Sequence, residues 1–303
     1  MRKHPFLSGV LLLLAIGLLF FFFLLGMTIF SGEKGVFSLR DRVGIAVVKG
    51  IITESKSTVE LLKKYGDDNR IKAVVVRIDS PGGGVAPSQE IFDAVNVLKK
   101  KKKVVVSMGS VAASGGYYIA CAADKIVANP GTVTGSIGAL MHYSNLEDLL
   151  KKIGLRSSVI KSGKFKDIGS PTRQMTPEER ELIQGVIDDI YDQFIEVVSA
   201  SRNISLMKLK PIADGRIFTG RQALKLGLVD ELGDIERAVV IAANLSAIKG
   251  KPDVIYPKDK GITFWRFIAD EMVSSLASHL KEETSGFRYQ SGSNDKIEFL
   301  FLK

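Results

Sequence analysis

The sequence has few of the residues that usually carry thiol or metal chemistry. Its 303 residues include one cysteine and three histidines. A single cysteine excludes an intrachain disulfide and a cysteine-rich metal site. Cys121 lies among small and apolar residues, which predicts a buried structural position rather than a reactive thiol. The sequence also lacks a metal-ligand cluster, a Walker loop and a dinucleotide-binding loop, so we expect neither a metal nor a cofactor.

The charge of the chain is biased towards basic residues. Lysine and arginine total 42 against 33 acidic residues, which gives a formal net charge of +9. Part of this excess lies in the lysine run 99–103, which is typical of a solvated loop. A patch for anionic lipid or nucleic acid is the alternative. No basic motif with interleaved aromatic residues is present, so we predict a lipid surface and no nucleic acid as partner.

The N-terminus predicts a membrane segment. Arg2 and Lys3 precede an uncharged, mostly apolar stretch over residues 5–30. About 20 apolar residues suffice to span a bilayer, and no small-residue cleavage site follows the stretch. We therefore predict a cytoplasmic tip and an uncleaved transmembrane signal anchor over residues 1–32, followed by a linker over 33–42. Because basic residues tend to stay in the cytoplasm, the rest of the chain is expected outside it, at the cell (inner) membrane.

Beyond residue 42 the hydrophobic pattern predicts an α/β domain. Continuous apolar runs predict strands, and longer segments between them predict helices, which together imply a mainly parallel sheet. The predicted strands cover residues 43–50, 73–79, 103–107, 125–128 and 138–142. The predicted helices cover residues 57–65, 87–99, 114–123, 177 to about 200, and 234–247. The domain is placed at 43–250, and 251–303 is expected to hold an amphipathic helix over 262–280 and a tail.

Two glycine-rich segments are candidates for a catalytic centre. Ser114 lies in Val-Ala-Ala-Ser-Gly-Gly-Tyr-Tyr, at a predicted strand-to-helix junction, and Gly115 would let a substrate approach closely. Helix capping alone also explains this serine, and Ser110 is a competing nucleophile without the glycine pair. The turn Ser-Pro-Gly-Gly-Gly (80–84) follows a predicted strand. Glycines there can point backbone N–H groups inward, as an oxyanion hole requires.

An amine is the candidate activator of the serine, although a solvated surface charge alone explains any single lysine of the sequence. A lysine that acts as a base must lose its proton near neutral pH, and a neighbouring cation favours that loss. Lys166 lies two residues after Lys164, and on an extended segment the two side chains would share a face and repel. Ser136 could orient a neutral amine, although an ordinary turn serine is the simpler explanation from the sequence alone. His142 is a weaker alternative base, since no carboxylate partner is recognisable for it.

Taken together, these segments resemble the signal peptide peptidase A (SppA) family. The resemblance runs in order through about 43–247. It rests on the segments Ser-Pro-Gly-Gly-Gly, Met-Gly-Ser-Val-Ala-Ala-Ser-Gly-Gly-Tyr-Tyr, Ala-Ala-Asp-Lys-Ile, Thr-Gly-Ser-Ile-Gly, Lys-Ser-Gly-Lys-Phe-Lys-Asp-Ile-Gly-Ser-Pro, Asp-Gly-Arg-Ile-Phe-Thr-Gly-Arg-Gln-Ala and Gly-Leu-Val-Asp-Glu-Leu-Gly. It implies a membrane-anchored serine endopeptidase with the Clp/crotonase-like fold, a superhelix of repeated β-β-α units.

The resemblance also implies roles for individual residues. Ser114 would be the nucleophile, Lys166 the general base, Ser136 the hydroxyl that orients the lysine, and Gly83 an oxyanion-hole donor, with Gly115 in support. It implies a ring-like homo-oligomer in which serine and lysine come from one protomer or from two. The expected substrates are cleaved signal peptides and other hydrophobic peptides. A quality-control peptidase for membrane proteins and a non-proteolytic crotonase-like protein are the alternatives.

Overall fold

The computed structural model describes residues 13–23 and 41–257 of the chain. Residues 13–23 form a helix, α1. Among the described residues, no helix combines the length and the apolar character that a bilayer span requires. The remainder of the predicted anchor, most of the predicted linker, and the predicted C-terminal helix and tail lie outside the described residues.

Strands and helices alternate along residues 41–257. The strands are β1 (Arg42–Lys49), β2 (Ile71–Ser80), β3 (Lys103–Ala113), β4 (Lys125–Ala128), β5 (Val133–Gly135), β6 (Ile217–Thr219), β7 (Glu231–Leu232) and β8 (Asp253–Ile255). The helices are α2 (Lys56–Asp67), α3 (Val85–Lys99), α4 (Gly115–Ala120), α5 (Glu147–Lys152), α6 (Pro177–Arg202), α7 (Leu206–Leu209), α8 (Gly220–Lys225) and α9 (Ile235–Leu245), with a 3₁₀ turn at Lys210–Ile212.

These strands form one sheet in the order β6-β5-β3-β2-β1-β8, and β4 pairs with β3 and β7. All the pairings are parallel except β5 with β6, which is antiparallel. The mixed α/β architecture with a mainly parallel sheet is therefore confirmed. The sheet also extends to β8, beyond the predicted end of the domain at residue 250.

The central strands are apolar on both faces because helices cover both sides of the sheet. In β2, Val74 and Val76 pack into the larger core, with side chains from α2, α3, α4 and α6. Ala73 and Val75 point to the opposite face, where they meet α9. This double burial accounts for the continuous apolar runs in the sequence, since parallel strands covered on both faces do not alternate with polar residues.

The predicted strand at 138–142 is wrong. Residues 136–146 have no regular structure, and the strand at this place is the shorter β5. Gly135 and Ser136 both have positive φ values, +85° and +50°, and these turn the chain out of the sheet. An apolar pattern alone does not reveal such a turn. The short strands β6, β7 and β8 were not predicted either.

A bulge in β3 carries the end of this strand beyond the end of β2. Ile78 pairs with Met108 and Ser80 pairs with Ala112, so β3 has two extra residues here. The Asp79 carboxylate accepts a hydrogen bond from a backbone N–H freed by the bulge, that of Val111, at 3.1 Å. The bulge thus places the segment after Ala113 at the carboxyl edge of the sheet.

Candidate active site

Ser114 occupies a strained turn between β3 and α4. Its φ and ψ are 51° and −122°, a combination that glycine usually adopts in tight turns. Its backbone N–H donates to the Gly135 carbonyl at 2.9 Å, and its own carbonyl accepts from Tyr118 N–H at 2.9 Å. The predicted position at a strand-to-helix junction is confirmed. Backbone strain of this kind is concentrated at functional sites, where the surrounding structure maintains it.

The glycine turn after β2 lies directly against Ser114. A Cβ atom built on Gly82 would lie 2.8 Å from the Ser114 Cβ and 2.9 Å from the Gly115 nitrogen. A Cβ atom on Gly115 would lie 3.5 Å from the Gly83 nitrogen. Only residues without side chains allow two backbone segments to approach so closely. The structure therefore brings together the predicted residues Ser114, Gly83 and Gly115.

The backbone of Gly83 is oriented towards this contact. Ile52 N–H donates to the Gly82 carbonyl at 2.9 Å, and Gly84 N–H donates to the Ile52 carbonyl at 2.8 Å. In such a parallel bridge the residue between the two bonded groups points its own N–H and C=O the other way. The Gly83 N–H therefore points away from Ile52.

Ser136 lies beside Ser114 at the same edge of the sheet. Ala113 pairs with Gly135 in the β3–β5 register, so the residues that follow, Ser114 and Ser136, are neighbours. Ser136 is half-buried, and its backbone N–H donates to the Arg216 carbonyl at 2.8 Å. The carboxyl ends of the adjacent strands β2, β3 and β5 thus meet at one edge, where ligands of parallel sheets usually bind.

A largely apolar cleft opens onto Ser114. Its walls come from the two glycine turns, from α3 and α4, and from the middle of α6. The lining residues are Gly83, Val85, Ser88, Gln89, Ser114, Gly115, Tyr118, Gly138, Ile190 and Phe194. The Tyr118 ring lies 5.2 Å from the Phe194 ring and 4.9 Å from the Phe92 ring, so aromatic packing fixes this wall. No sequence motif singles out the α3 and α6 residues of this lining.

Lys166 lies on a separate, exposed segment and is not among the residues that line the Ser114 cleft. The expected extended conformation is wrong, because residues 163–170 form successive tight turns. Lys164 forms an ion pair with Glu178, and its amine lies 5.2 Å from the Phe165 ring centroid. The Lys164 charge is thus compensated by a carboxylate, which removes the basis for the expected repulsion of Lys166.

The neighbour of this lysine, Asp167, belongs to an ion-pair network. Arg173 binds Asp167 and also Glu179. The Arg173 guanidinium, with help from the Lys161 amine, holds the pKa of the Asp167 carboxyl well below its usual range. Arg173 and the backbone N–H of Thr176 lower the pKa of Glu179 to about 2. No simple sequence motif indicates this network.

The alternative catalytic residues lie elsewhere. Ser110 is inside β3 and exposed, away from the strand-to-helix junction. His142 lines a larger polar groove of about 770 Å³ rather than the Ser114 cleft. Cys121 is buried, and burial raises the pKa of its thiol to about 11, so the predicted structural position is confirmed. Among the described residues, no group of histidine, cysteine, aspartate or glutamate could hold a metal ion.

Comparison with known proteins identifies two peptidase families. Residues 96–249, about half of the chain, match the model of peptidase family S49. Residues 39–132 match the model of the Clp protease family. Both matched ranges contain the strand β3 and the turn at Ser114. The turn at Ser114 therefore lies in the overlap of the two matches, residues 96–132, whereas Gly83 lies only in the Clp protease match and Ser136 only in the S49 match.

Individual relatives agree with these families. A Synechocystis sp. protein provisionally named a protease is 48% identical over 213 residues, 70% of this chain and 76% of that protein. The chloroplastic serine protease SPPA of Arabidopsis thaliana is 36% identical over 225 residues, 72% of this chain and 33% of that protein. Protease 4 of Haemophilus influenzae is 34% identical over 264 residues, 84% of this chain and 42% of that protein. The chain therefore belongs to peptidase family S49 and is an SppA-like serine peptidase.

Proposed function

We propose that this chain is a membrane-bound endopeptidase that uses Ser114 and Lys166 to degrade remnant signal peptides and other hydrophobic peptides. The observation that most strongly supports this proposal is the strained Ser114 turn, which faces the Gly83 backbone at the base of an apolar cleft. A cleft with such walls favours peptides with apolar side chains, since burying each side chain stabilises the complex. Signal peptides are rich in such residues.

The proposed reaction has two stages. Ser114 Oγ attacks the peptide carbonyl while the uncharged Lys166 amine takes its proton, and the Gly83 N–H stabilises the oxyanion. Lys166 then gives the proton to the leaving amine. A water molecule, deprotonated by Lys166, attacks the acyl group and releases it as a carboxylic acid, while Lys166 returns the proton to Ser114 Oγ. Ser136 orients the lysine amine, and Gly115 lets the carbonyl approach. One oxyanion donor of this kind contributes a factor of about 100 to 1,000 in kcat.

We infer that the lysine of each site comes from a neighbouring copy in a ring-like oligomer. Lys166 is exposed in one copy and absent from the lining of the Ser114 cleft. The segment between the cleft and Lys166 also exposes large apolar side chains, including Leu140 (84% exposed), Ile153 (61%) and Val159 (52%). A segment that exposes several large apolar side chains supports a contact with a second copy. We also propose that the domain forms the Clp/crotonase-like superhelix of repeated β-β-α units.

Attachment to the membrane is proposed from the sequence. The apolar stretch over residues 5–30 has the length of a bilayer span, and the basic residues before it favour a cytoplasmic N-terminus. The peptidase domain would then lie outside the cytoplasm, where remnant signal peptides are released into the same membrane. Carbonate extraction of membranes would test the attachment, and protease protection would test the orientation.

Active-site labelling tests the serine directly. We expect a fluorophosphonate to label the wild type and not Ser114→Ala, because only an activated serine reacts with it. We expect Lys166→Ala to fold and assemble but to lose cleavage of a synthetic signal peptide. Full cleavage by either variant would contradict the Ser114–Lys166 pair. An unlabelled wild type would favour the crotonase-like alternative.

The substrate class needs its own comparison. A panel of signal peptides and of fragments from membrane-protein loops, matched in length, would be cleaved in detergent. We expect kcat/KM to be highest for the signal peptides. Equal or higher values for the loop fragments would favour the quality-control peptidase.

A further inference from the structure

The backbone around Lys166 is folded into tight turns. Lys166 N–H donates to the Gly163 carbonyl at 3.2 Å, and Ser170 N–H donates to the Asp167 carbonyl at 3.0 Å. The Lys166 side chain is exposed, so packing does not fix where its amine points. Its direction therefore depends on what holds the residues next to it, and above all Asp167.

Arg173 holds Asp167 by both carboxylate oxygens. Its Nε donates to Asp167 Oδ2 and its Nη2 to Asp167 Oδ1, each at 2.9 Å. The other side of the guanidinium binds Glu179, with Nη1 to Oε2 at 2.8 Å and Nη2 to Oε1 at 2.5 Å. A planar guanidinium can form paired hydrogen bonds to each of two carboxylates, whereas a lysine amine cannot form these two bidentate contacts.

Glu179 ties the bridge to the start of α6. Its side chain is only 4% exposed. Its carboxylate accepts from Thr176 N–H at 2.9 Å, and its backbone N–H donates to Thr176 Oγ1, which forms a capping box. The same helix contributes Ile190 and Phe194 to the Ser114 cleft. The Lys166 turn is therefore tied to the helix that forms a wall of the cleft.

The network also binds the negative charge of Asp167, the residue that follows Lys166 in the sequence. A free Asp167 carboxylate would favour the protonated form of an adjacent lysine, which cannot act as a base. Here Asp167 is occupied by Arg173 and Lys161. The charged groups of this segment and of α6 that take part in ion pairs here are Lys161, Lys164, Asp167, Arg173, Glu178 and Glu179. From α5, Glu147 accepts a hydrogen bond from Gln174 N–H.

We propose that Arg173 is a positioning residue for Lys166: it fixes the lysine-bearing turn to the N-terminus of α6 and keeps the Asp167 carboxylate engaged away from the amine. Arg173 acts through Asp167 and does not touch the substrate. The inference rests on the proposed function, because it assigns Arg173 to the Ser114–Lys166 reaction.

The central test compares Arg173→Gln with wild type at equal concentrations of fluorophosphonate-titrated sites. We expect kcat to fall about 100-fold, the order of loss that a misplacement of about 1 Å causes, while KM changes little. We also expect the rise of kcat/KM with pH to move to higher pH, because the freed carboxylate favours the protonated amine. Arg173→Lys keeps the positive charge but loses the bidentate hydrogen bonds. It should therefore retain the wild-type pH profile, while its kcat stays as low as that of Arg173→Gln.

A double variant separates the effect of the freed Asp167 charge from the effect of losing the position of the Lys166 turn. Adding Asp167→Asn to Arg173→Gln removes the freed carboxylate, so the pH profile should return towards that of the wild type while kcat stays low. Arg70→Gln is the matched control, since Arg70 also binds one aspartate, Asp68, through two nitrogens, at the opposite edge of the sheet. We expect it to leave kcat and the pH profile unchanged.

Three outcomes decide the matter. Wild-type kcat and pH profile in titrated Arg173→Gln would overturn the inference, even if its melting temperature falls, because the arginine would then be merely structural. Loss of kcat with an unchanged pH profile would overturn the charge role and retain the positional role. Full activity of Lys166→Ala would instead defeat the proposed function, and this outcome is measured separately.

Discussion

At the scale of single residues, the conformation of Ser114 is costly. A non-glycine residue held in such a sparsely populated backbone conformation destabilises the fold by about 1–3 kcal/mol, which the surrounding packing must offset. α4 and the end of β3 are buried and supply it: Tyr117 and Ala112, for example, are fully buried. The proposed role explains why a serine and not a glycine occupies the position. A hydroxyl is needed there, and the backbone is forced to accommodate it.

This cost can be measured. We expect Ser114→Gly to be about 1 kcal/mol more stable than Ser114→Ala, because glycine adopts the observed φ and ψ without strain and alanine does not. Both variants lack the hydroxyl, so the comparison isolates the backbone. Urea denaturation followed by circular dichroism would give the free energy of unfolding of each. Equal stability of the two variants would show that Ser114 is not strained.

At the scale of elements, α6 links several parts of the molecule. Its capping box starts the helix, the ion-pair network attaches the Lys166 turn to that start, and its middle turns form a wall of the cleft. Ile183 and Ile187 line the larger groove, and Ile190 and Phe194 line the Ser114 cleft. These four residues are spaced so that they fall on one face of a helix. One apolar stripe therefore runs along both cavities.

The stripe should set part of the substrate preference. We expect Ile190→Ala to lower kcat/KM about tenfold for peptides with leucine beside the scissile bond, because removing buried methylene groups from a pocket costs about 1–3 kcal/mol. Peptides with alanine at that position should change little. Val186→Ala, on an exposed part of the same helix, is the control. Parallel losses for both peptide sets would show that Ile190 acts on the fold and not on recognition.

The elements also show which parts of the molecule local sequence can predict. β1, β2 and β3 were predicted because double burial makes them continuous apolar runs, and α6 because Thr176, Pro177 and Glu179 mark its start. The prediction of a strand at 138–142 is wrong because positive φ values end β5 early. The short strands β5, β6 and β7 are hard to predict because they depend on pairing partners distant in sequence. The proximity of Ser114 and Gly83 can be predicted, because each follows one of two adjacent parallel strands. The Lys166 turn does not, because Arg173 shapes it through side-chain contacts.

At the scale of the whole molecule, the proposed site is divided between two surfaces. The Ser114 cleft lies at the carboxyl edge of the sheet, whereas Lys166 lies on an exposed segment flanked by apolar side chains. A ring of identical copies makes head-to-tail contacts, in which one surface of each copy meets a different surface of the next. Such a contact can complete every site with a lysine from the neighbouring copy.

Mixing two inactive variants tests this arrangement. In a mixed ring, Ser114→Ala supplies intact lysines and Lys166→Ala supplies intact serines. If each site uses two copies, random assembly of equal amounts should restore about one quarter of the wild-type activity per site, since both neighbours must be of the right kind. If each site uses one copy, the mixture should stay inactive. Co-expression with two affinity tags and sequential purification would yield the mixed oligomers, and light scattering would confirm their mass. Purified mixed oligomers without activity would place the serine and the lysine in the same copy, and the turns around Lys166 would then have to reach the cleft of their own chain.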